Sequence, residues 1–270
     1  GWLLLALRWQ ESNPGTMLDS DAFTKRIVAS LNEFLDRWVM CSQWAGVWEY
    51  STRALERFAS SLATTSNDLG KSSTADEAVR VLREALQSLV ASCEENALAH
   101  VHSASVITRE RFGGYYSLLW IWHRLDADRW SMSEIPLRTD HGSVRAEVDH
   151  CVAFETWHTR LLEEMQPDNP EYYQRAARVN AFGNAALLEK SYNASRGKDS
   201  LATFLAKVHE FQSGAVKISD WAVALRLTNE FIEPEKFSLD EIAAAIEARD
   251  VLMQQDLERF VKGEVNRKDI

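Results

Sequence analysis

The stretch Phe182-Gly-Asn-Ala-Ala-Leu-Leu-Glu-Lys-Ser-Tyr-Asn-Ala-Ser-Arg-Gly-Lys198 decides how this chain is interpreted. Its apolar first half predicts a short strand over about 182–188, and its polar second half predicts the start of a helix near Asn193. Asparagine oxygens suit a hard divalent cation, while Arg196 and Lys198 add fixed positive charge that can face phosphate. The segment therefore predicts a site for a cation and a phosphate group.

A second strand is predicted upstream, over about residues 144–152, and it carries the pair Asp149-His150. A histidine with a pKa of about 6.5 can take a proton from water at neutral pH, and an aspartate can bind Mg²⁺ or Mn²⁺. Side chains alternate between the two faces of a regular strand. The two residues therefore serve one site only if the strand ends or bends there.

Together these residues have the chemistry that metal-assisted phosphodiester hydrolysis requires. We expect His150 to be the general base, and Asp149 and Asn193 to bind one Mg²⁺ or Mn²⁺ ion. The scissile phosphate would lie near the N-terminus of the helix that contains Asn193, because free backbone N–H groups there favour an anion. Arg196 and Lys198 would bind the phosphodiester backbone.

The composition is that of a globular, mainly helical protein. Hydrophobic residues make up 46% and charged residues 26% of the 270 residues, with only 11 glycines and 5 prolines, which favours long helices. The net charge of −10 and the pI near 5.3 argue against a general nucleic-acid coat protein. Three widely spaced cysteines provide no disulfide framework, which predicts a reducing cytoplasm.

Charge is unevenly distributed along the chain. Five basic residues accompany two acidic ones between Glu171 and Lys198, whereas six basic residues accompany eleven acidic ones from Glu230 to Ile270. An acidic tail beside a basic site would weaken non-specific adhesion to phosphates. A solvated acidic helix face is the simpler explanation of the same pattern.

Apolar residues recur with helical spacing through most of the rest of the chain. Helices are predicted over residues 20–38, 47–62, 74–90, 115–125, 154–165, 200–211, 219–231 and 238–261. A polar loop is predicted over 64–74. Capping boxes at Thr74-Ala-Asp-Glu77 and Ser238-Leu-Asp-Glu241 mark two of the helix starts.

The fold class is accordingly mainly α, a helical bundle with an embedded strand–strand–helix module. The predicted domains are a helical domain over residues 1–128, the site module over 129–210, and C-terminal helices over 211–270 that pack on the module. The apolar opening Gly1–Trp9 has about half the length of a membrane span, so no membrane association is predicted. Because the chain opens inside a helix-like run without a methionine, we expect an upstream domain.

The residues Asp149-His150, Gly183-Asn184 and Tyr192-Asn193-Ala-Ser-Arg-Gly-Lys198 resemble the motif of HNH, or ββα-metal, nucleases in their His-Asn-Asn form. Asn184 and Asn193 are nine residues apart, as the family's turn from second strand to helix implies. The 34 residues from His150 to Asn184 are accommodated as a loop insertion. The resemblance covers about residues 145–205.

The resemblance implies a role for each matched residue. His150 would be the general base, and Asp149 and Asn193 would hold the metal. Asn184 would brace the loop and orient the backbone of the histidine. Lys198 or Arg196 would contact phosphate, and the embedded module would be an HNH nuclease module.

The flanking helices and the Gly-Asn phrase are similar to the C-terminal nuclease half of GmrSD-type modification-dependent restriction enzymes and of SspE-like anti-phage proteins. This similarity implies a metal-dependent DNA endonuclease in bacterial defence, joined to an N-terminal nucleotide-hydrolysing or modification-sensing domain. Two alternatives stay open. One is a non-catalytic helical DNA- or protein-binding module with a relic HNH loop, and the other is a phosphatase or nucleotide hydrolase on a helical scaffold.

Two further kinds of residue have simpler explanations. Trp120, Trp122 and Trp157 could stack on nucleic-acid bases, but their apolar neighbours favour packing in the core. Cys151 adjoins the predicted base, yet no acid–base partner is implied for it. A small buried residue is therefore favoured over a nucleophile.

Overall fold

The computed structural model describes residues 37–45, 51–72, 74–104, 109–126, 146–197, 199–211 and 222–265. Within these ranges the chain is mainly helical and contains one two-stranded sheet, which confirms the predicted mainly α class. None of the helices in these ranges has the length and apolar character needed to cross a bilayer.

The chain forms two compact units. One comprises residues 1–100 with 260–266, and the other comprises residues 101–259 with 267–270. The predicted site residues all belong to the second unit. The helical segment Tyr116–Arg124 belongs to that unit too, although the predicted domain boundary was drawn after it, at residue 128.

The first unit contains helix α1 (Ser51–Leu69), most of helix α2 (Ala75–Ser103) and a helical stretch over residues 37–44. The hydroxyl of Thr74 accepts a hydrogen bond from the Glu77 backbone N–H at 3.2 Å, so the predicted cap of α2 is present. The buried residues of α2 recur every three or four positions and form its core face: Ala78, Leu82, Leu86, Val90, Cys93 and Ala97.

The predicted polar loop over residues 64–74 is mostly helical, because α1 continues to Leu69. The hydroxyl of Thr65, which is only 2% exposed, donates to the carbonyl of Ser61 at 2.8 Å. A threonine that bonds back to the preceding turn satisfies its own polar group inside a helix. A run of small polar residues therefore does not end α1. The predicted helix over 20–38 lies almost entirely outside the described residues.

The second unit carries the sheet and the shorter helices. A 3₁₀ helix (Arg109–Tyr115) leads into α3 (Tyr116–Arg124), and strand β1 (Ala146–His150) is followed by α4 (Phe154–Glu164) and α5 (Tyr172–Ala177). Strand β2 (Ala185–Glu189) runs directly into α6 (Lys190–Arg196). The chain continues through α7 (Leu201–Phe211), α8 (Asn229–Ile232) and α9 (Leu239–Val261). Both predicted strands are confirmed, although each is shorter than predicted.

The two strands pair antiparallel, with His150 opposite Ala185 and Ala146 opposite Glu189. Every residue of β2 is buried, which explains why this strand reads as a continuous apolar run. The free edge of β2 is covered by α3, where the backbone N–H of Leu187 donates to Nε2 of His123 at 3.2 Å. A helix therefore covers the sheet on the β2 side, whereas the residues of β1 are half-buried.

Helix α9 supports the segment just before β2. The guanidinium of Arg249, 2% exposed, donates to the carbonyls of Gly183 at 2.6 Å and Ala185 at 3.0 Å. The second capping box is also present, because Ser238 and Glu241 each bond the backbone N–H of the other. A well-defined start of α9 thus fixes the helix that carries Arg249 against the sheet.

Gly183 is required by the close approach of α9. A Cβ atom at this position would overlap the carbonyl oxygen of Ile246 and lie 2.8 Å from the backbone nitrogen of Asp250. Because both neighbours are backbone atoms, Gly183→Ala is expected to lower the free energy of unfolding by roughly 1–3 kcal/mol. Urea denaturation followed by circular dichroism measures this change.

The matched control is Gly113→Ala, because no heavy atom lies within 4 Å of a Cβ placed at Gly113. An exposed substitution of this kind is expected to change stability by less than about 0.5 kcal/mol. Equal effects of the two substitutions would contradict the close packing of Gly183 against α9.

Candidate functional site

The predicted site lies where β1 meets α6. Glu147 and Asp149 alternate with their neighbours along β1 and therefore share the strand face that contacts α6. On α6, Asn193 and Arg196 are three residues apart and lie on one helix face. The amide nitrogen of Asn193 donates to the Glu147 carboxylate at 3.1 Å. Two carboxylates and one side-chain amide are thus gathered between strand and helix.

Helix α6 begins at Lys190, so Asn193 occupies its middle and not its start as predicted. Strand β2 ends at Glu189 and leads into the helix without a loop, which moves the helix start three residues upstream. A phosphate placed against the free N–H groups of this helix would consequently lie away from Asn193. The short helix contributes its side chains, and not its terminus, to the site.

Arg196 is buried at the centre of this arrangement, with a side chain only 2% exposed. Its guanidinium forms an ion pair with the Asp149 carboxylate and donates to the carbonyls of His150 at 2.5 Å and Cys151 at 2.7 Å. These bonds tie α6 to the end of β1. A guanidinium in this position does not face solvent, so its placement differs from the predicted contact with phosphate.

The local excess of basic residues is balanced by carboxylates that are distant in sequence. Arg175 lies 2.5 Å from Asp240, and Arg178 lies 3.5 Å from Glu247. Lys190 lies 3.5 Å from Glu147, on the face shared with Asn193. The described part of the segment therefore presents paired charges, and Lys198 lies outside the described residues.

His150 faces the other side of β1. Its Nε2 lies 3.0 Å from Oδ1 of Asn180, and the ring of Phe112 stacks on the imidazole with centres 3.7 Å apart. Burial lowers the pKa of His150 below its ordinary value, and the hydrogen bond with Asn180 opposes part of that shift. The imidazole is therefore neutral at physiological pH, the protonation state that a general base requires.

The lowered pKa of His150 makes stability depend on pH. As the pH falls below about 6.5, the unfolded chain takes up the proton before the folded chain does. The contribution of His150 is complete above that pH and is progressively lost towards the lower folded pKa. We expect the melting temperature to fall less between pH 7.5 and pH 5.5 in His150→Gln than in the parent protein, as measured by circular dichroism.

His102→Gln is the control for this measurement, because His102 is a largely exposed histidine paired with Glu258. Titration of acidic groups away from the two histidines is common to all three proteins, so only the difference between them is informative. An identical pH dependence in the parent and in His150→Gln would contradict a lowered pKa for this histidine.

Asn184 is fully buried directly below the end of β1. Its Oδ1 accepts from the Val152 backbone N–H at 2.8 Å, and its Nδ2 donates to the carbonyls of Val152 at 3.1 Å and Val179 at 2.8 Å. The backbone carbonyl of Asn184 also accepts from the Cys151 N–H at 2.8 Å. These contacts hold the loop that follows His150.

The structure brings the predicted residues together in two groups. Asp149 lies with Arg196, on the face where Asn193 bonds Glu147, whereas His150 lies on the opposite face of β1. Strand β1 keeps its regular pairing through His150 and the chain bends only at Cys151, so Asp149 and His150 stay on opposite faces and the bend that a shared site requires does not lie between them. Burial is the main cause of the lowered pKa of His150, and the neighbouring charges act in opposite directions, since Asp149 raises that pKa and Arg196 lowers it.

The donors on the α6 face fit a hard divalent cation by their chemistry. Carboxylate and amide oxygens are preferred by Mg²⁺ and Mn²⁺, and Asp149 and Asn193 supply one of each, with Glu147 beside them. In the described ranges no group of three or more His, Cys, Asp or Glu side chains is arranged to hold a metal. The predicted pair is of a different kind, since one of its members is an amide. Arg196 would share the Asp149 carboxylate with a bound cation.

Three contacts of this site were not anticipated from the sequence: those of Phe112, Asn180 and Glu147. Glu147 could have been found, because it lies two residues before Asp149 and so shares its strand face. Asn180 lies four residues before Asn184, but no rule of sequence spacing predicts that it contacts His150. Phe112 is 38 residues before His150, and no local pattern links them.

Burial in the core, the simpler explanation for the tryptophans and for Cys151, is confirmed for Trp122, Trp157 and Cys151. Trp122 and Trp157 are at most 1% exposed and belong to the core. Cys151 is buried as well, and burial raises the pKa of its thiol, which leaves it protonated and unreactive. All three cysteines are free.

In chain order, strand β1 is separated from strand β2 by α4, α5 and two short 3₁₀ helices, and β2 runs directly into α6. The two groups of polar residues lie on or beside these two paired strands and α6. Asn184 connects the loop after β1 to the segment that precedes β2. Comparison of the chain with models of protein families, with curated proteins and with solved structures finds no match.

Proposed function

We propose that this chain is a metal-dependent DNA endonuclease of the HNH, or ββα-metal, type. The observation that carries the proposal is the antiparallel pairing of β1 with β2, which runs directly into α6, with Asp149, His150, Asn184 and Asn193 on or beside these elements. His150 ends the first strand, Asn184 holds the loop that follows it, and Asn193 lies on the helix after the second strand. Two paired strands followed by a helix are the elements that the name ββα describes, and in this chain α4 and α5 lie between the two strands.

In this proposal Asp149 and Asn193 hold one Mg²⁺ or Mn²⁺ ion, and Glu147 is the third oxygen donor on the same face. The bound cation would neutralise charge that develops on the leaving oxygen. Neutral His150 takes a proton from the attacking water. Asn184 keeps the backbone of His150 in place, and Arg196 keeps Asp149 oriented through its guanidinium. Lys198 remains the proposed contact with phosphate.

The biological setting follows from the resemblance to GmrSD-type and SspE-like nucleases. DNA would be the substrate, the cytoplasm the compartment, and phage or foreign modified DNA the target. An N-terminal nucleotide-hydrolysing or modification-sensing domain would control the nuclease. The three free, buried cysteines are consistent with a reducing compartment.

Incubation of the protein with supercoiled plasmid in EDTA, Mg²⁺ or Mn²⁺, beside a mononucleotide ester, tests the function directly. Conversion to open-circular or linear plasmid with either metal, and none in EDTA, is the expected result. Binding of DNA without cleavage under any divalent ion would favour the non-catalytic module. Hydrolysis of the mononucleotide with intact plasmid would favour a phosphatase.

Metal binding is tested separately by calorimetry with Mn²⁺. Asp149→Asn keeps a hydrogen-bonding partner for Arg196 but removes the negative charge, and Asn193→Ala removes the amide ligand. Each substitution is expected to weaken Mn²⁺ binding by roughly tenfold or more, as loss of a ligand or its support commonly does. Asp168→Asn, at an exposed loop position, is the control. An affinity equal to that of the parent would exclude the ligand role of the substituted residue.

A further inference from the structure

The imidazole of His150 is held from two directions. The ring of Phe112 lies almost parallel to it, with planes 8° apart, and prevents it from tilting. In the plane of the ring, Nε2 lies 3.0 Å from Oδ1 of Asn180. An amide oxygen only accepts hydrogen bonds, so the ring nitrogen that faces it must carry a proton.

We propose that Asn180 is a positioning residue that holds His150 in the tautomer with its proton on Nε2 and its lone pair on Nδ1. A neutral imidazole has one proton for two nitrogen atoms, and only the unprotonated nitrogen can take a proton from water. Asn180 thereby selects the atom that acts as base. Its consequence for DNA cleavage rests on the proposed function, whereas the tautomer itself is a property of the chain.

Asn180 is well placed for this task because its own position is fixed. Its side chain is 5% exposed, and its backbone carbonyl accepts from the hydroxyl of Tyr115 at 3.2 Å. The preceding carbonyl, that of Val179, accepts from Nδ2 of Asn184. Both contacts hold the backbone and leave the amide of Asn180 directed at the imidazole.

The same Asn184 side chain also bonds the backbone of Val152, two residues after His150. One buried amide therefore joins the segment that carries Asn180 to the loop that follows His150. The separation of Asn180 and His150 is set by this bridge as well as by their mutual hydrogen bond. This arrangement fits a tautomer-selecting contact better than an incidental one.

The tautomer is measured by long-range ¹H–¹⁵N correlation spectra of the full chain with ¹⁵N-labelled histidine, recorded near pH 8. Loss of one set of signals in His150→Gln identifies His150. We expect the parent to carry the proton on Nε2. Asn180→Asp keeps an acceptor oxygen and should keep this tautomer, whereas Asn180→Leu has a similar size without an acceptor and should populate both tautomers. The signals of His102 serve as the internal control.

Two spectral results would overturn the proposal: a proton on Nδ1 in the parent, or an unchanged tautomer in a folded Asn180→Leu variant. The first measurement needs only His150→Gln for the assignment, so it decides the question even if Asn180→Leu does not fold. Because neither measurement involves cleavage, they remain decisive if the parent proves to cut no DNA with any divalent ion. That outcome would remove the proposed function alone.

Plasmid nicking adds a second test when the parent is active. Asn180→Leu should lower kcat by roughly 10- to 100-fold with KM unchanged, as loss of an orienting partner commonly does. Asn180→Asp should recover most of the rate. A shifted tautomer with an unchanged kcat would overturn the positioning role, because the selected nitrogen would then be irrelevant to the rate.

Discussion

Replacement of His150 by glutamine is expected to reduce plasmid nicking by roughly two to four orders of magnitude, the usual contribution of a general base. Glutamine retains an N–H group that can donate to Asn180, but it cannot take a proton from water. The variant therefore separates the chemistry of the imidazole from its place in the fold. Nicking rates under single-turnover conditions with Mg²⁺ or Mn²⁺ measure the effect.

His150→Ala should lose activity to the same extent, but with a larger loss of stability, because alanine, unlike glutamine, leaves no side chain to pack against Phe112 or to donate to Asn180. His102→Ala is the matched control, since it removes a histidine of the same unit that lies outside the site. Unchanged nicking by a folded His150→Gln protein would remove the histidine from the reaction.

Arg196→Met is expected to lower the free energy of unfolding by about 3–5 kcal/mol, the usual cost of removing one partner from a buried ion pair. The substitution leaves the Asp149 carboxylate and the carbonyls of His150 and Cys151 without their shared donor. Methionine occupies a similar length of side chain, so lost packing contributes little. Urea denaturation with two spectroscopic probes measures the change.

Arg178→Met is the control, because the guanidinium of Arg178 and its partner Glu247 are both exposed and 3.5 Å apart. Exposed pairs contribute about 0–1 kcal/mol. Combining Arg196→Met with Asp149→Asn should cost less than the sum of the single effects, since it also removes the buried negative charge. A cost below about 1 kcal/mol for Arg196→Met would show that the guanidinium does not hold β1 and α6 together.

The elements with a local signature could be predicted from the sequence. Two capping boxes gave the starts of α2 and α9, and the apolar run before Glu189 gave the buried strand β2. These features depend on residues that are neighbours in the chain, where periodicity and capping act. The bracing role of Asn184 was implied by the resemblance alone and not by periodicity or capping.

The surroundings of the site could not be predicted, because they depend on residues that are far apart in sequence. Arginine is a residue type that often binds phosphate. Only the packing of α6 against β1 shows that the guanidinium of Arg196 is already paired with Asp149. Whether a cation faces solvent or a carboxylate is decided by tertiary contacts. The prediction of a loop at the polar end of α1 is wrong for a related reason. The hydrogen bond from the Thr65 hydroxyl to the preceding helical turn has no strong sequence signature.

The amide of Asn184 has one more implication, for the 34-residue excursion that leaves β1 after His150 and returns at Asn184 itself. The side chain of Asn184 holds the two ends of that excursion together by hydrogen bonds. The far tip of the excursion, residues 166–171, is exposed to solvent. Lengthening or replacing the tip should leave the geometry at the base of the excursion intact. A new recognition element could therefore be inserted there without rebuilding the candidate site.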